Sequence, residues 1–202
     1  MQNLYLFFIA SLMLNLTPGN DMLYVISRSI SQGFKGGLFS ALGIFIGCLV
    51  HVFAAVLGIS FIIAKSAFLF QAIKFAGAAY LIYLGINALI AKPSTNDAQK
   101  DLQKVNPYQL LKQGAITNAL NPKVAIFFLS FLPQFINPTT HTAIQLFTLG
   151  IWFDVQGTLI LICIAFLIGR TRNFIQQNPK FWAIQEKITG VILIGLGVKL
   201  VV

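Results

Sequence analysis

Charge is what this sequence has least of. Among 202 residues only five are acidic, and charged residues of both signs make up 9% of the chain. A water-soluble domain keeps about a quarter of its residues charged, so a soluble globular fold is excluded. Cysteine is scarce as well. Cys48 and Cys163 both fall within apolar stretches, where they read as small packing residues and carry no information on redox compartment. There is no His-Glu-x-x-His, no paired-cysteine metal pattern and no glycine-rich phosphate loop, so signatures of an enzyme or a metal centre are lacking. Of the two histidines, His141 lies in a gap between apolar segments.

What fills the chain instead is hydrocarbon: 57% of residues are hydrophobic and the mean hydropathy is +0.81. None of the apolar runs alternates as a β-barrel strand would, and a helix crosses about 30 Å of hydrocarbon with about 20 residues. Six spans fit, roughly 4–26, 38–63, 67–90, 108–132, 142–168 and 182–201. The first is no signal peptide, because no Lys or Arg precedes Arg28 and further spans follow. The expected fold is an all-α integral membrane protein forming one membrane domain over 1–202. The polar stretch 91–107 divides it into two sets of three spans, 1–90 and 108–202. An odd number of spans per half makes the second set enter from the opposite side, an inverted repeat. Glycines support the relation: Gly47 stands four residues before His51, and Gly150 four before Asp154; Gly77 and Gly85 have counterparts in Gly190 and Gly197.

The formal net charge of +9 does not call for nucleic acid. Arg28, Lys35, Lys92, Lys100, Lys104, Arg170, Arg172 and Lys180 fall in the gaps after spans one, three and five, against Lys65, Lys74 and Lys199 opposite. The positive-inside rule places the rich gaps, with the 91–107 linker, in the cytoplasm and both termini outside. Tyr5, Tyr24, Tyr108 and Trp182 near span ends suit the aromatic belt.

Two proline breaks, Leu16-Thr17-Pro18 and Leu120-Asn121-Pro122, interrupt the first span of each half. Proline removes a backbone donor and clashes with the preceding turn, and in a bilayer the freed carbonyls need protein or water partners. Interruptions at matching positions in two halves point to a transporter's binding site. Thr17 and Asn121 suit helix N-caps, and Pro18 and Pro122 the first position of a restarted helix. Each restart leaves N–H groups free at the positive end of a half-helix dipole, which would attract a carboxylate. Asn15, Thr17, Pro18, Gly19, Asn118, Asn121 and Pro122 are therefore the candidate substrate-binding residues, ahead of Tyr80, Tyr83 and Asn87. The plainer alternative is a pair of ordinary kinks.

Of the ionisable side chains in or beside spans, Asp21, His51 and Asp154 stand out. Such groups are costly in hydrocarbon and face protein or water. Asp21 and Asp154 read as proton carriers or partners for a substrate ammonium, or else as interfacial or capping aspartates. His51 sits on a stripe of Gly36, Ser40, Gly43, Gly47, Ala54 and Gly58, a surface that lets helices approach closely. It reads as a packing histidine or a proton relay. Gly150 and Gly157 flank Asp154 on its own helix face, so it too points into the bundle.

With these residues in view, the chain resembles the LysE family of bacterial amino-acid exporters, above all its homoserine, threonine and neutral amino-acid branch. The resemblance runs over essentially the full length. It rests on Leu16-Thr17-Pro18-Gly19-Asn20-Asp21, on Ala41-Leu42-Gly43 through Gly47, and on Gly77-Ala78-Ala79-Tyr80-Leu81-Ile82-Tyr83-Leu84-Gly85. Thr117-Asn118-Ala119-Leu120-Asn121-Pro122-Lys123 and Phe131-Leu132-Pro133-Gln134-Phe135 continue it. It implies six helices as an inverted three-plus-three repeat in the bacterial inner membrane, exporting amino acids by proton antiport, with the proton gradient as energy source and no cofactor. Where the family pattern often reads Pro-Gly-Pro, Asn20 replaces the second proline, restoring a backbone donor and adding a side chain beside the expected site.

The expected function is efflux of a small neutral amino acid, with the lipid bilayer as the other partner, no nucleic acid, and a homo-oligomer compatible with all of this. A divalent-metal exporter using His51, Asp21 and Asp154 is one alternative, though one histidine and two carboxylates are a thin ligand set. An intramembrane hydrolase serving Ser130 from His51 and Asp154 is another, with no nucleophile motif behind it. A structural membrane scaffold leaves the buried acids unexplained.

Overall fold

A computed structural model describes residues 4–59, 67–90, 104–137 and 140–176, together with positions 187, 190, 191, 194, 195 and 198. Expectations that concern Lys65, the linker acids Asp97 and Asp101, Trp182, Glu186, Gly197 and the side chains of Lys74 and Tyr80 lie outside the described residues. Among the described residues every regular element is helical, as a chain must be when its backbone polar groups are satisfied within each segment in lipid.

Helix α1 spans Leu4–Leu16, α2 Asn20–Ala54, α3 Ala67–Ile90, α4 Pro107–Ala119, α5 Pro122–Ile126 and α6 Thr142–Gln176. A π-helical turn, Ala55–Ile59, extends α2. A second one, Phe127–Phe131, and a 3₁₀ turn, Leu132–Phe135, extend α5. By length and composition alone, Asn20–Gly58 and Thr142–Gly169 are apolar enough to cross a membrane, although the first is interrupted at Gly33, and Pro107–Ala119 with Pro122–Phe135, bent by 47°, makes a third. Helix α1 has 13 residues, about 20 Å at 1.5 Å per residue, and cannot span alone.

The length of α2 conceals a reversal. Gly33 has φ 70° and ψ −168°, a conformation open essentially to glycine alone. On either side the chain doubles back as a helical hairpin, so that Met22, Val25 and Ile26 of the 20–32 limb join Ala41 and Ile44 of the 34–54 limb in one cluster. Gly36 and Gly37 allow the close turn. A Cβ at the former would lie 2.7 Å from the Arg28 carbonyl oxygen, and one at the latter 2.6 Å from the Ala165 Cβ. Between the first two expected spans, over 27–37, the structure carries helix and makes the turn at one residue.

Glycines also set the main helix–helix contact. A Cβ on Gly43 would stand 2.4 Å from the Leu111 carbonyl oxygen, one on Gly47 2.4 Å from that of Ala115, and one on Gly114 2.6 Å from that of Ser40. The 34–54 limb and α4 therefore touch backbone to backbone, as small-residue stripes permit. Ala54 and Gly58, read as part of the same stripe, are exposed and half-buried, and Gly58 faces open space; the stripe ends at His51. Helix α4 begins in a capping box, in which Gln109 N donates to the Asn106 side chain and Asn106 N to that of Gln109. Tyr24 Oη donates to the Leu110 carbonyl at 2.9 Å and Arg28 to Gln113 Oε1 at 2.9 Å, fixing the 20–32 limb on α4.

Two apolar clusters fill the bundle. One gathers Phe7, Phe127, Phe128, Phe131, Phe135 and Phe153 with Val52 and Leu146; its rings interlock, Phe127 stacking on Phe153 with centroids 4.4 Å apart. The other joins the α2 hairpin to Leu161, Ala165 and Ile168 of α6.

Candidate functional site

Between those clusters the two interruptions meet. Helix α1 stops at Leu16, and Thr17, Pro18 and Gly19 carry the chain to α2 in non-helical conformation. Thr17 turns back, its amide and its hydroxyl both donating to the Met13 carbonyl at 3.0 and 2.8 Å. It therefore closes α1 instead of capping α2, correcting the sequence expectation. The residue in the cap position is Gly19, with no side-chain cap bond, because the break is three residues long and Thr17 is spent on the preceding turn. At the second interruption Asn121 does cap α5, its Oδ1 accepting from Lys123 N at 3.0 Å, and Pro122 takes the first helical position.

Each interruption is held by the residue that follows the other. Asp21, at the start of α2, accepts through Oδ2 from Asn118 Nδ2 and Asn121 Nδ2, both at 2.9 Å. Lys123, at the start of α5, donates through Nζ to the carbonyls of Leu14 and Thr17 at 3.3 and 3.0 Å. A helix leaves its last carbonyls unpaired and its C-terminal end partially negative; an ammonium satisfies both. His51 Nε2 lies 2.8 Å from the Asn118 carbonyl oxygen and its ring stacks on Phe128, so it braces the end of α4.

A cavity of about 40 Å³ opens at this junction, lined on its polar side by Asn15, Thr17, Asp21, Asn118, Lys123, Asp154 and Thr158. Met22, Ile44, Val124, Phe153 and Leu161 form its apolar wall. Space of that size holds a few waters. Four buried polar atoms around it have no protein partner: Asp21 Oδ1, Asn118 Oδ1, Asp154 Oδ2 and Thr158 Oγ1. Buried polar atoms are paired in the great majority of cases, so four orphans around one cavity describe a site built for something to occupy. Asp154 is 3% exposed. Asn15 reaches α6, donating to the Phe153 carbonyl and to Gln156 Oε1 at 3.2 and 3.3 Å. Gly157 makes room, since a Cβ there would stand 2.8 Å from Asn15 Oδ1.

Of the residues singled out from sequence, the structure gathers Asn15, Thr17, Asn118, Asp21 and Asp154 at the cavity. Pro18, Gly19, Asn121, Pro122 and His51 stand behind it. Asn20 is exposed at the first position of α2 and does not line the cavity, so its side chain is turned away from the site it was expected to border. Tyr83 is exposed and Asn87 half-buried on α3. Among the described residues no three of His, Cys, Asp and Glu are grouped as metal ligands, which leaves the metal alternative without a ligand set there. Sequence reasoning passed over Lys123, Thr158 and Gln156, and took Cys48, which also lines the cavity, as packing. The signal for Lys123 was present: an ionisable residue inside an apolar span marks function by default.

The pattern of paired interruptions around a polar, part-apolar cavity is matched by kinship. The model of the LysE type translocator family covers residues 12–202. The chain belongs to the LysE family. It is thus a membrane translocator and not an enzyme. It is similar to the membrane protein YrhP of Bacillus subtilis, at 35% identity over 195 residues, covering 93% of this chain and 92% of that one. It is also similar to the leucine efflux protein of Salmonella typhimurium, at 28% identity over 200 residues, covering 98% and 94%. No solved structure matches.

Proposed function

We propose that this LysE-family protein exports small neutral amino acids across the bacterial inner membrane in exchange for protons. The observation that carries the reading is the cavity itself, which sets Lys123 and the acids Asp21 and Asp154 beside a wall of Met22, Ile44, Phe153 and Leu161. Charges of both signs suit a zwitterion, and the wall suits an aliphatic side chain. The relative named as a leucine efflux protein points the same way. A zwitterion carries no net charge, so export against its gradient needs a coupled ion. An inward proton contributes about 2.3 kcal/mol per 100 mV, and Asp154, which takes no amide from the second break as Asp21 does, is the carboxylate assigned to receive it.

In this reading α1 and the 20–32 limb form one span broken at Pro18, and α4 with α5 and its extensions form its inverted counterpart. The third span of each half meets the other through glycine. Gly85 and Gly190 abut backbone to backbone, a Cβ on either meeting the carbonyl oxygen of the other at 2.6–2.7 Å. The basic gaps face the cytoplasm, the termini the exterior, and His51 positions Asn118. The cavity is far smaller than an amino acid, so loading requires the breaks to move. The test is to feed cells with and without the protein a panel of dipeptides and follow which amino acids leave. Faster release of aliphatic amino acids, abolished by a protonophore, is the expected result; release unaffected by the protein across the panel would refute the assignment.

A further inference from the structure

We propose that Lys123 is the residue that recognises the substrate carboxylate, and that its seat on the end of α1 is a resting position from which substrate draws it. The inference rests on the efflux reading and assigns a role within it. Among the residues that line the cavity Lys123 carries the only positive charge, whereas Asp21 Oδ1, Asn118 Oδ1 and Asp154 Oδ2 are acceptors without a partner. A zwitterion placed there has its polarity fixed: carboxylate against Lys123, ammonium toward the acceptors. The restarted helices are the weaker candidates. At α5 the Asn121 side chain already takes the Lys123 amide, and α2 opens with the exposed Asn20.

The seat is also of a kind that a carboxylate can displace. Two of the three ammonium donors go to the neutral carbonyls of Leu14 and Thr17, and bonds to an ionised acceptor are roughly twice as strong. Gly19 leaves the approach open, since a Cβ there would stand 3.1 Å from Lys123 Nζ; its φ of −169° suits any residue, so space and not backbone conformation is what glycine supplies. When Lys123 turns to substrate, the last carbonyls of α1 lose their cation and the first break is freed to move. Occupancy and helix movement are then linked through one side chain.

The full-length protein in liposomes, loaded with leucine, is assayed for uptake of labelled leucine against leucinamide and isopentylamine as competitors. Wild type should be inhibited by leucine and little by either analogue, which lack the carboxylate. Lys123→Gln should raise the half-saturating leucine concentration about 10- to 100-fold, the loss of one charged hydrogen bond, and erase the preference for acid over amide. Lys123→Arg should retain that preference. Slower transport by Lys123→Gln with the preference intact would overturn the assignment and leave Lys123 a structural clasp. Equal competition by leucinamide in wild type would overturn it with no variant needed. Absence of any amino-acid exchange by wild type would instead refute the efflux reading on which it stands.

Discussion

Asp21 and Asp154 share a cavity but not a set of partners, and the difference separates their roles. Both amide donors that reach Asp21 converge on Oδ2 and come from the second break, so its charge is built into the join between the two halves. Asp154 takes no amide from either break; its neighbours at the cavity are the Thr158 hydroxyl of its own helix and the Cys48 thiol. Asp154→Asn keeps the shape and removes the exchangeable proton. The expected outcome is loss of uphill, proton-driven export, with leucine–leucine exchange retained within a few-fold. Uphill export at the wild-type level by this variant would take Asp154 out of the coupling step. Asp21→Asn should instead weaken the fold, by about 1.5–3 kcal/mol if a buried charged hydrogen bond is lost, seen as a lower melting temperature in detergent. Sequence made both acids visible because charge stands out against hydrocarbon. It left their division of labour hidden, since Asn118 and Asn121 meet Asp21 across about a hundred residues of chain and no local pattern encodes that. Thr158 and Gln156 were invisible for another reason: uncharged polar side chains are ordinary in membrane helices.

At the scale of elements, glycine decides where helices end and how near they come. The breaks were legible from Pro18 and Pro122, but the sharpest reversal is at Gly33, which no proline marks and which the reading of spans treated as part of a loop. Its backbone is open essentially to glycine alone, so Gly33→Ala should cost about 1–3 kcal/mol and lower the yield of folded protein. Gly43→Val should be worse. Its added atoms meet the Leu111 backbone at 2.4 Å, which has no flexible end to move aside, and overpacking of this kind costs about 1–3 kcal/mol or more. Gly58→Ala, facing open space, should be neutral. Thermal unfolding followed by fluorescence size-exclusion orders the three. A Gly43→Val protein as stable as Gly58→Ala would mean that the 34–54 limb and α4 are not held at this distance in the membrane.

For the whole molecule, the cavity's place between two apolar clusters bears on how a carrier alternates. Its lining draws Met22, Ile44 and Leu161 from one cluster and Cys48, Val124 and Phe153 from the other. Either cluster can therefore act as a barrier while the other parts. On the proposed orientation, with basic gaps inside, the phenylalanine cluster would face the exterior: Tyr5, at the start of α1 and 76% exposed, should be labelled as cysteine by an impermeant reagent added to intact cells, and Lys104, exposed before α4, should not. The exterior barrier must then open for release. Phe7 on α1 and Phe135 beyond the second break have ring centroids 5.4 Å apart, and they join the two sides of that barrier. Cysteines at both positions, in a background lacking Cys48 and Cys163, should be linked by a short bifunctional maleimide. Linking should stop efflux and exchange, while each single cysteine treated alike stays active. If the linked protein still exports, the path to the exterior does not pass between α1 and the segment after α5, and release must occur along another face of the bundle.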